Sequence, residues 1–191
     1  MQKLARLVKA AVVLLGLATL AGNAGAGTAN TSLNISATVT QNCLISTTAV
    51  AFGAYDPVVT NSSSGIDKPS TGGTVVVTCT KNSSGVWIGL SLGNNASGST
   101  RRMKGAVNND LLTYELYQPT ATTPSAACPA GTGTVWGNTQ ATGVTPTGVT
   151  SWGATAAKTF NVCGLVTKGQ DVSGTSAGES YTDTVTATVN F

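Results

Sequence analysis

Two stretches of this chain alternate apolar and polar side chains, one near each end. Leu33, Ile35, Ala37 and Val39 fall at every second position of Thr31–Cys43, with Asn34, Ser36, Thr38 and Thr40 between them. Val185, Ala187, Val189 and Phe191 alternate in the same way with Thr184, Thr186, Thr188 and Asn190. A period of two marks a strand with one dry face and one wet face. A chain that begins and ends in such strands has two uses for the first. It joins its own sheet, or it leaves and completes a neighbour's.

The residues ahead of the first run read as an address rather than as fold. Lys3, Arg6 and Lys9 make a basic region, Ala10–Ala21 is apolar and uncharged, and Ala24-Gly25-Ala26 is a small-x-small cleavage site. This is the pattern of a secretory signal peptide over residues 1–26. The competing reading is a membrane anchor, for which the apolar run is short. Three of the ten Lys and Arg residues lie in this leader, so the remainder holds seven basic residues against seven acidic ones. A near-neutral chain with no basic patch excludes a nucleic-acid partner on electrostatic grounds. Arg101-Arg102-Met103-Lys104 is the one charge cluster and reads as a solvated turn.

Past the leader the length suits one domain with a core of its own. Gly, Thr, Ser, Ala, Asn and Val dominate, a mix that favours strands and turns over helices. Strands are expected at 74–80, where Thr74–Thr80 is strongly β-branched, at 86–92, at 111–117, at 160–166 and at 181–191. The first two are expected to form a hairpin around Asn82–Gly85. Val50–Pro57 should be a short strand entering a turn, residues 60–73 a surface loop, and 119–157 a long loop with a small strand around Thr134–Trp136. The fold class is all-β, a sandwich of short strands.

The four cysteines of an exported chain imply two disulfides. Three pairings are open. We expect the sequential pairs, Cys43–Cys79 and Cys128–Cys163, each closing a loop of about 35 residues and contributing ~4 kcal/mol in the chain-entropy picture. A metal site is the weaker idea, since no Cys-x-x-Cys spacing occurs and histidine is absent. The lack of histidine also removes Ser-His-Asp and Cys-His catalysis. A carboxylate pair drawn from Asp56, Asp67, Asp110, Glu115, Asp171, Glu179 and Asp183 stays formally open, but no spacing brings two together. We expect no catalytic residue, no metal and no cofactor. Trp87, Trp136 and Trp152 are candidates for a sugar-stacking platform, with core packing the plainer role.

Several pieces, taken in order, resemble the spore coat protein U-type domain, a family that includes subunits of archaic chaperone–usher pili of the Csu kind. They are the alternating run into Asn42-Cys43; Phe52-Gly53-x-Tyr55; Val77-Thr78-Cys79; Arg102-Met103; Leu112-x-Tyr114-x-Leu116-Tyr117; Val135-Trp136-Gly137; and Tyr181-x-Asp183-Thr184-Val185-x-Ala187-x-Val189-x-Phe191. The pair Cys128 and Cys163 and the long segment around it look like additions to that pattern.

The resemblance implies an incomplete immunoglobulin-like sandwich of the pilin type, residues 42–191, with an N-terminal donor-strand segment at 27–41. Leu33, Ile35, Ala37 and Val39 would be the donor side chains. Val185, Ala187, Val189 and Phe191 would edge the acceptor groove. The implied partners are a periplasmic chaperone, an outer-membrane usher and identical or related subunits. The implied destination is the periplasm and then the cell surface, in a pilus serving adhesion and biofilm formation. Ala37, small between larger neighbours, would face a shallow pocket where strand exchange begins. Two other functions fit the residues: a secreted lectin-like sandwich using the tryptophans, and a spore or cell-coat matrix protein.

Overall fold

The computed structural model describes residues 27–149, 152–153 and 156–191. The signal-peptide reading falls on residues 1–26 and lies outside them. The chain divides into two units after Thr38. In the first, residues 27–38 carry no strand and every side chain is exposed. The alternation of Thr31–Thr40 is therefore not realised as a strand here, and the first strand begins only at Cys43.

The described residues of the second unit, Val39–Phe191, hold ten strands. They are β1 (Cys43–Thr48), β2 (Lys68–Pro69), β3 (Thr74–Cys79), β4 (Trp87–Leu90), β5 (Arg101–Gly105), β6 (Leu111–Tyr117), β7 (Lys158–Asn161), β8 (Cys163–Val166), β9 (Tyr181–Thr182) and β10 (Ala187–Asn190). No helix occurs among the described residues. Consequently none there is long and apolar enough to cross a membrane. Three sheets result, ordered β1-β3-β7, β10-β4 and β2-β8-β6-β5-β9, every ladder antiparallel. This is the expected all-β class.

β3 shows why the pattern works. Val75, Val77 and Cys79 are buried while Thr74, Val76 and Thr78 are only partly so. The strand sits between β1 and β7 and points one face at the core. β6 repeats this with Leu112, Tyr114 and Leu116. Ile88, Leu90, Met103 and Phe160 join them in one apolar cluster. Both expected disulfides are present. Cys43 and Cys79 face each other in register across β1 and β3, with Cα atoms 4.1 Å apart, and Cys128 is bonded to Cys163 of β8.

Several local expectations fail, each for a tertiary reason. Residues 74–80 and 86–92 do not form a hairpin. β1 and β7 occupy both edges of β3, so the chain crosses to pair β4 with β10. The expected strand 160–166 is two strands. β7 pairs with β3 and β8 with β6, the switch falling at Val162. Gly164 follows it, and a Cβ there would meet the Phe52 ring at 2.8 Å. The run 181–191 divides likewise into β9 and β10, in different sheets. The loop at 60–73 contains β2.

The basic cluster at 101–104 is not a turn but β5. Arg101 is fully buried and ion-paired with Glu115, and it donates to the carbonyls of Leu90, Ser91 and Trp136. A buried guanidinium is tolerable only when its donors are so engaged.

The long segment after β6 is also more than a loop. Residues 134–136 run beside the end of β6, through Gln118 N–H to Thr134 O and Trp136 N–H to Leu116 O. Gly137 and Val144 then pair with β4, through Leu90 N–H to Gly137 O and reciprocal bonds between Ile88 and Val144. Trp136 has no exposed surface, and its indole N–H donates to Ile88 O at 2.8 Å.

Candidate functional site

The ladders specify which backbone groups are left over. In an antiparallel pair, alternate residues direct both N–H and C=O at the partner and the others direct them away. The bond from Thr80 N–H to Asn42 O sets that phase for β1. Leu44, Ser46 and Thr48 therefore bond β3, while Cys43, Ile45 and Thr47 aim their backbone groups outward. The bond from Ser91 N–H to Thr186 O does the same for β10. Thr188 and Asn190 bond β4, and Ala187 and Val189 aim outward. The phase checks itself on the far side of β4, where Ile88 and Leu90 aim at Val144 and Gly137 and are bonded there.

β1 and β10 lie close to one another, with no ladder between them among the described residues. Between Thr47–Val50 on one side and Tyr181–Ala187 on the other, a cavity of about 360 Å³ opens. Its floor is the core itself: Val75, Leu90, Met103, Tyr114, Leu116 and Val162. A second cavity of about 500 Å³ shares Val50, Phe52, Met103 and Tyr181 with the first and continues along 51–57 and 172–181. The result is a groove with an apolar floor and threonine-rich walls, opening beside two strand edges whose outward backbone groups pair with no strand among the described residues.

Two tyrosine hydroxyls of the groove are engaged within the domain. The Tyr114 hydroxyl donates to Asp183 at 2.7 Å, and the Tyr181 hydroxyl to Ser173 O at 2.7 Å. Burial, reinforced by the bond to Asp183, raises the Tyr114 phenol well above the ordinary tyrosine range. Burial likewise raises that of Tyr181. Neither hydroxyl ionises at neutral pH, and two carboxylates, Asp183 and Glu179, stand among the lining residues.

Of the four residues expected along the acceptor edge, Val185 and Ala187 line the cavity and Val189 packs on the core. Phe191 follows β10 and is 52% exposed, outside the cavity lining. The expected donor side chains Leu33, Ile35 and Val39 are 83%, 88% and 80% exposed, and Ala37 is exposed too. The groove floor was not foreseen as a site. Its residues were legible as the inward faces of β3, β4 and β6, but not as the side of the core left open.

The other candidates disperse. Trp136 and Trp152 are buried, which leaves only half-buried Trp87 of the proposed indole platform. The carboxylates serve loops and strands separately. Asp56 accepts from Val58 and Val59 N–H, Asp67 from Lys168 N–H, Asp110 from Ser173, and Glu179 from Val107 and Asn108 N–H.

The fold and groove define a β-sandwich domain with one unsealed side. The family described as "Spore Coat Protein U domain" matches residues 29–188, and the chain belongs to that family. It is 37% identical to "Protein U" of Myxococcus xanthus over 181 residues, covering 88% of each chain. Among solved structures it is similar to a chain of the CsuC-CsuE chaperone-tip adhesion subunit pre-assembly complex from archaic chaperone-usher Csu pili of Acinetobacter baumannii. The TM-score is 0.43 and the identity 20%, with 81% of this chain and 41% of that chain covered. The chain thus spans about two fifths of that solved chain.

Proposed function

We propose that this chain is a structural, non-catalytic subunit of a chaperone–usher surface pilus, linked to its neighbours by donor-strand complementation. The open apolar groove between the free edges of β1 and β10 carries the reading. Free N–H and C=O groups on both sides of an exposed core are a template for one more strand. The same chain offers such a strand in Leu33, Ile35, Ala37 and Val39, whose period matches a groove with one apolar floor. Burying Leu33, Ile35 and Val39 would contribute roughly 1.5–3 kcal/mol each, Ala37 less. Each ladder hydrogen bond would add about 1 kcal/mol. The contact is head to tail and does not close on itself, so it makes a filament.

In this reading residues 1–26 direct export to the periplasm, 27–41 are the donor segment and 42–191 the acceptor domain. A periplasmic chaperone covers the groove until the outer-membrane usher exchanges it for the next subunit's tail. The fibre then serves adhesion and biofilm formation at the cell surface. Ala37 faces the shallow part of the groove, and Ala37→Leu slows strand exchange. Unchanged exchange kinetics would remove that role from Ala37.

Deleting residues 28–40 tests the whole reading. The expected product is a folded domain that still binds the chaperone but forms no polymer on non-reducing gels or by light scattering. Polymers of normal length from the deleted chain would overturn it. A coat matrix protein is the second reading, favoured by the family's own description. It predicts that the chain accumulates in a coat layer without any dependence on a chaperone and usher.

A further inference from the structure

Between β9, which pairs with β5, and β10, which pairs with β4, the chain leaves one sheet for another over residues 183–186. That crossing forms a wall of the first cavity. It is held mainly by the loop that joins β4 to β5. Asp183 Oδ1 accepts from Asn94 N–H at 2.9 Å, from Asn95 N–H at 3.1 Å and from Asn95 Nδ2 at 3.1 Å. Asp183 Oδ2 accepts from the Tyr114 hydroxyl. Gly93 lies against this carboxylate with φ +89°, and a Cβ there would fall 1.9 Å from Oδ2. At the other end of the crossing Thr186 N–H donates to Ser91 Oγ and Ser91 N–H to Thr186 O, both at 2.9 Å. Tyr114 belongs to the groove floor, so one carboxylate ties wall to floor.

We infer that Asp183 is a positioning residue for strand capture: by fixing the crossover to Tyr114 and to the β4–β5 loop, it holds the groove at a set width before any strand enters. Both its oxygens are engaged inside the domain, so its effect on an incoming strand passes through the wall it fixes. A preformed site loses less entropy on binding than one that must order itself. The inference rests on the donor-strand reading above.

The test uses the full chain and a fluorescent synthetic peptide copying residues 28–41. Association and dissociation rates are measured for wild type, Asp183→Ala, Tyr114→Phe and, as a charge control, the exposed Asp171→Ala. Dissociation is expected to accelerate about tenfold in Asp183→Ala and about threefold in Tyr114→Phe, because charge-assisted bonds to the carboxylate are lost. Asp171→Ala should match wild type. Should Asp183→Ala fail to fold, Tyr114→Phe decides alone, since it removes a single hydroxyl. Peptide rates equal to wild type in Tyr114→Phe and in any folded Asp183→Ala, whatever the change in melting temperature, overturn the positioning role. A wild-type chain that does not bind the peptide overturns the donor-strand reading itself.

Discussion

The two long sides of this sandwich end differently. Along β4 and the end of β6, residues 134–144 bond both strands, bury Trp136 and seat its carbonyl on Arg101. The Cys128–Cys163 bridge clips the chain just ahead of it to β8, and Asn161 Nδ2 donates to Ala126 O at 2.8 Å. Along β1 and β10 the strands are also short, yet the backbone groups of Ile45, Thr47, Ala187 and Val189 meet no strand among the described residues. The segment between β6 and β7, with its own disulfide, therefore seals one side in cis, and the other stays open among the described residues. Closure here follows from which chain segment lies alongside an edge, and not from the composition of the edge.

Breaking the sealed side should have the largest effect. Trp136→Ala removes a fully buried indole and should cost about 3–5 kcal/mol in urea unfolding. Cys128→Ser with Cys163→Ser should cost ~4 kcal/mol in the chain-entropy picture, read from the same curves, and should admit protease into 119–157. A loss below ~1 kcal/mol would show that the sealed side does not depend on its clip. Glu115→Gln strands the buried Arg101 and should cost about 3 kcal/mol, the low end for a broken buried pair because Glu115 keeps some contact with water. At the open side Val185→Ala removes less buried surface and should cost under ~1 kcal/mol in the free domain. An equal loss at Val185 and Trp136 would erase the contrast between the two sides.

The smallest effect is on pH. Asp56 is held below the ordinary aspartate range chiefly by the N–H groups of Val59 and Val58, and Asp110 by the hydroxyl and N–H of Ser173. A depressed native value means that the unfolded chain takes up the proton first. The stabilisation is thus complete at neutral pH and is lost only as pH falls below about 4, through the native values. Thermal melts from pH 7 to pH 3 should stay flat and then drop. Asp110→Asn should flatten the drop.

Much of the strand content was legible. β3, β4 and β6 announce themselves by β-branched or alternating runs, because a period of two with a buried face has few other uses. Four cysteines made two disulfides legible, but the sequential pairing was one of three open to the sequence, and the fold selected it. Arg101 was misread because a basic tetrad gives no local sign that a glutamate fourteen residues on will share its pocket. The strand switches at Val162 and 183–186 were missed for a related reason. An alternating run looks the same whether its two halves pair with one neighbour or with two.

The sequence by itself determined the all-β class, the alternating faces of its strands, the cysteines available to staple it and a tail with the same period as the groove. Only the tertiary structure decided that residues 134–144 close one side while no described segment closes the other. The reason is physical. Alternation specifies which face of a strand is dry, whereas the occupant of its edge depends on which distant segment the fold brings alongside.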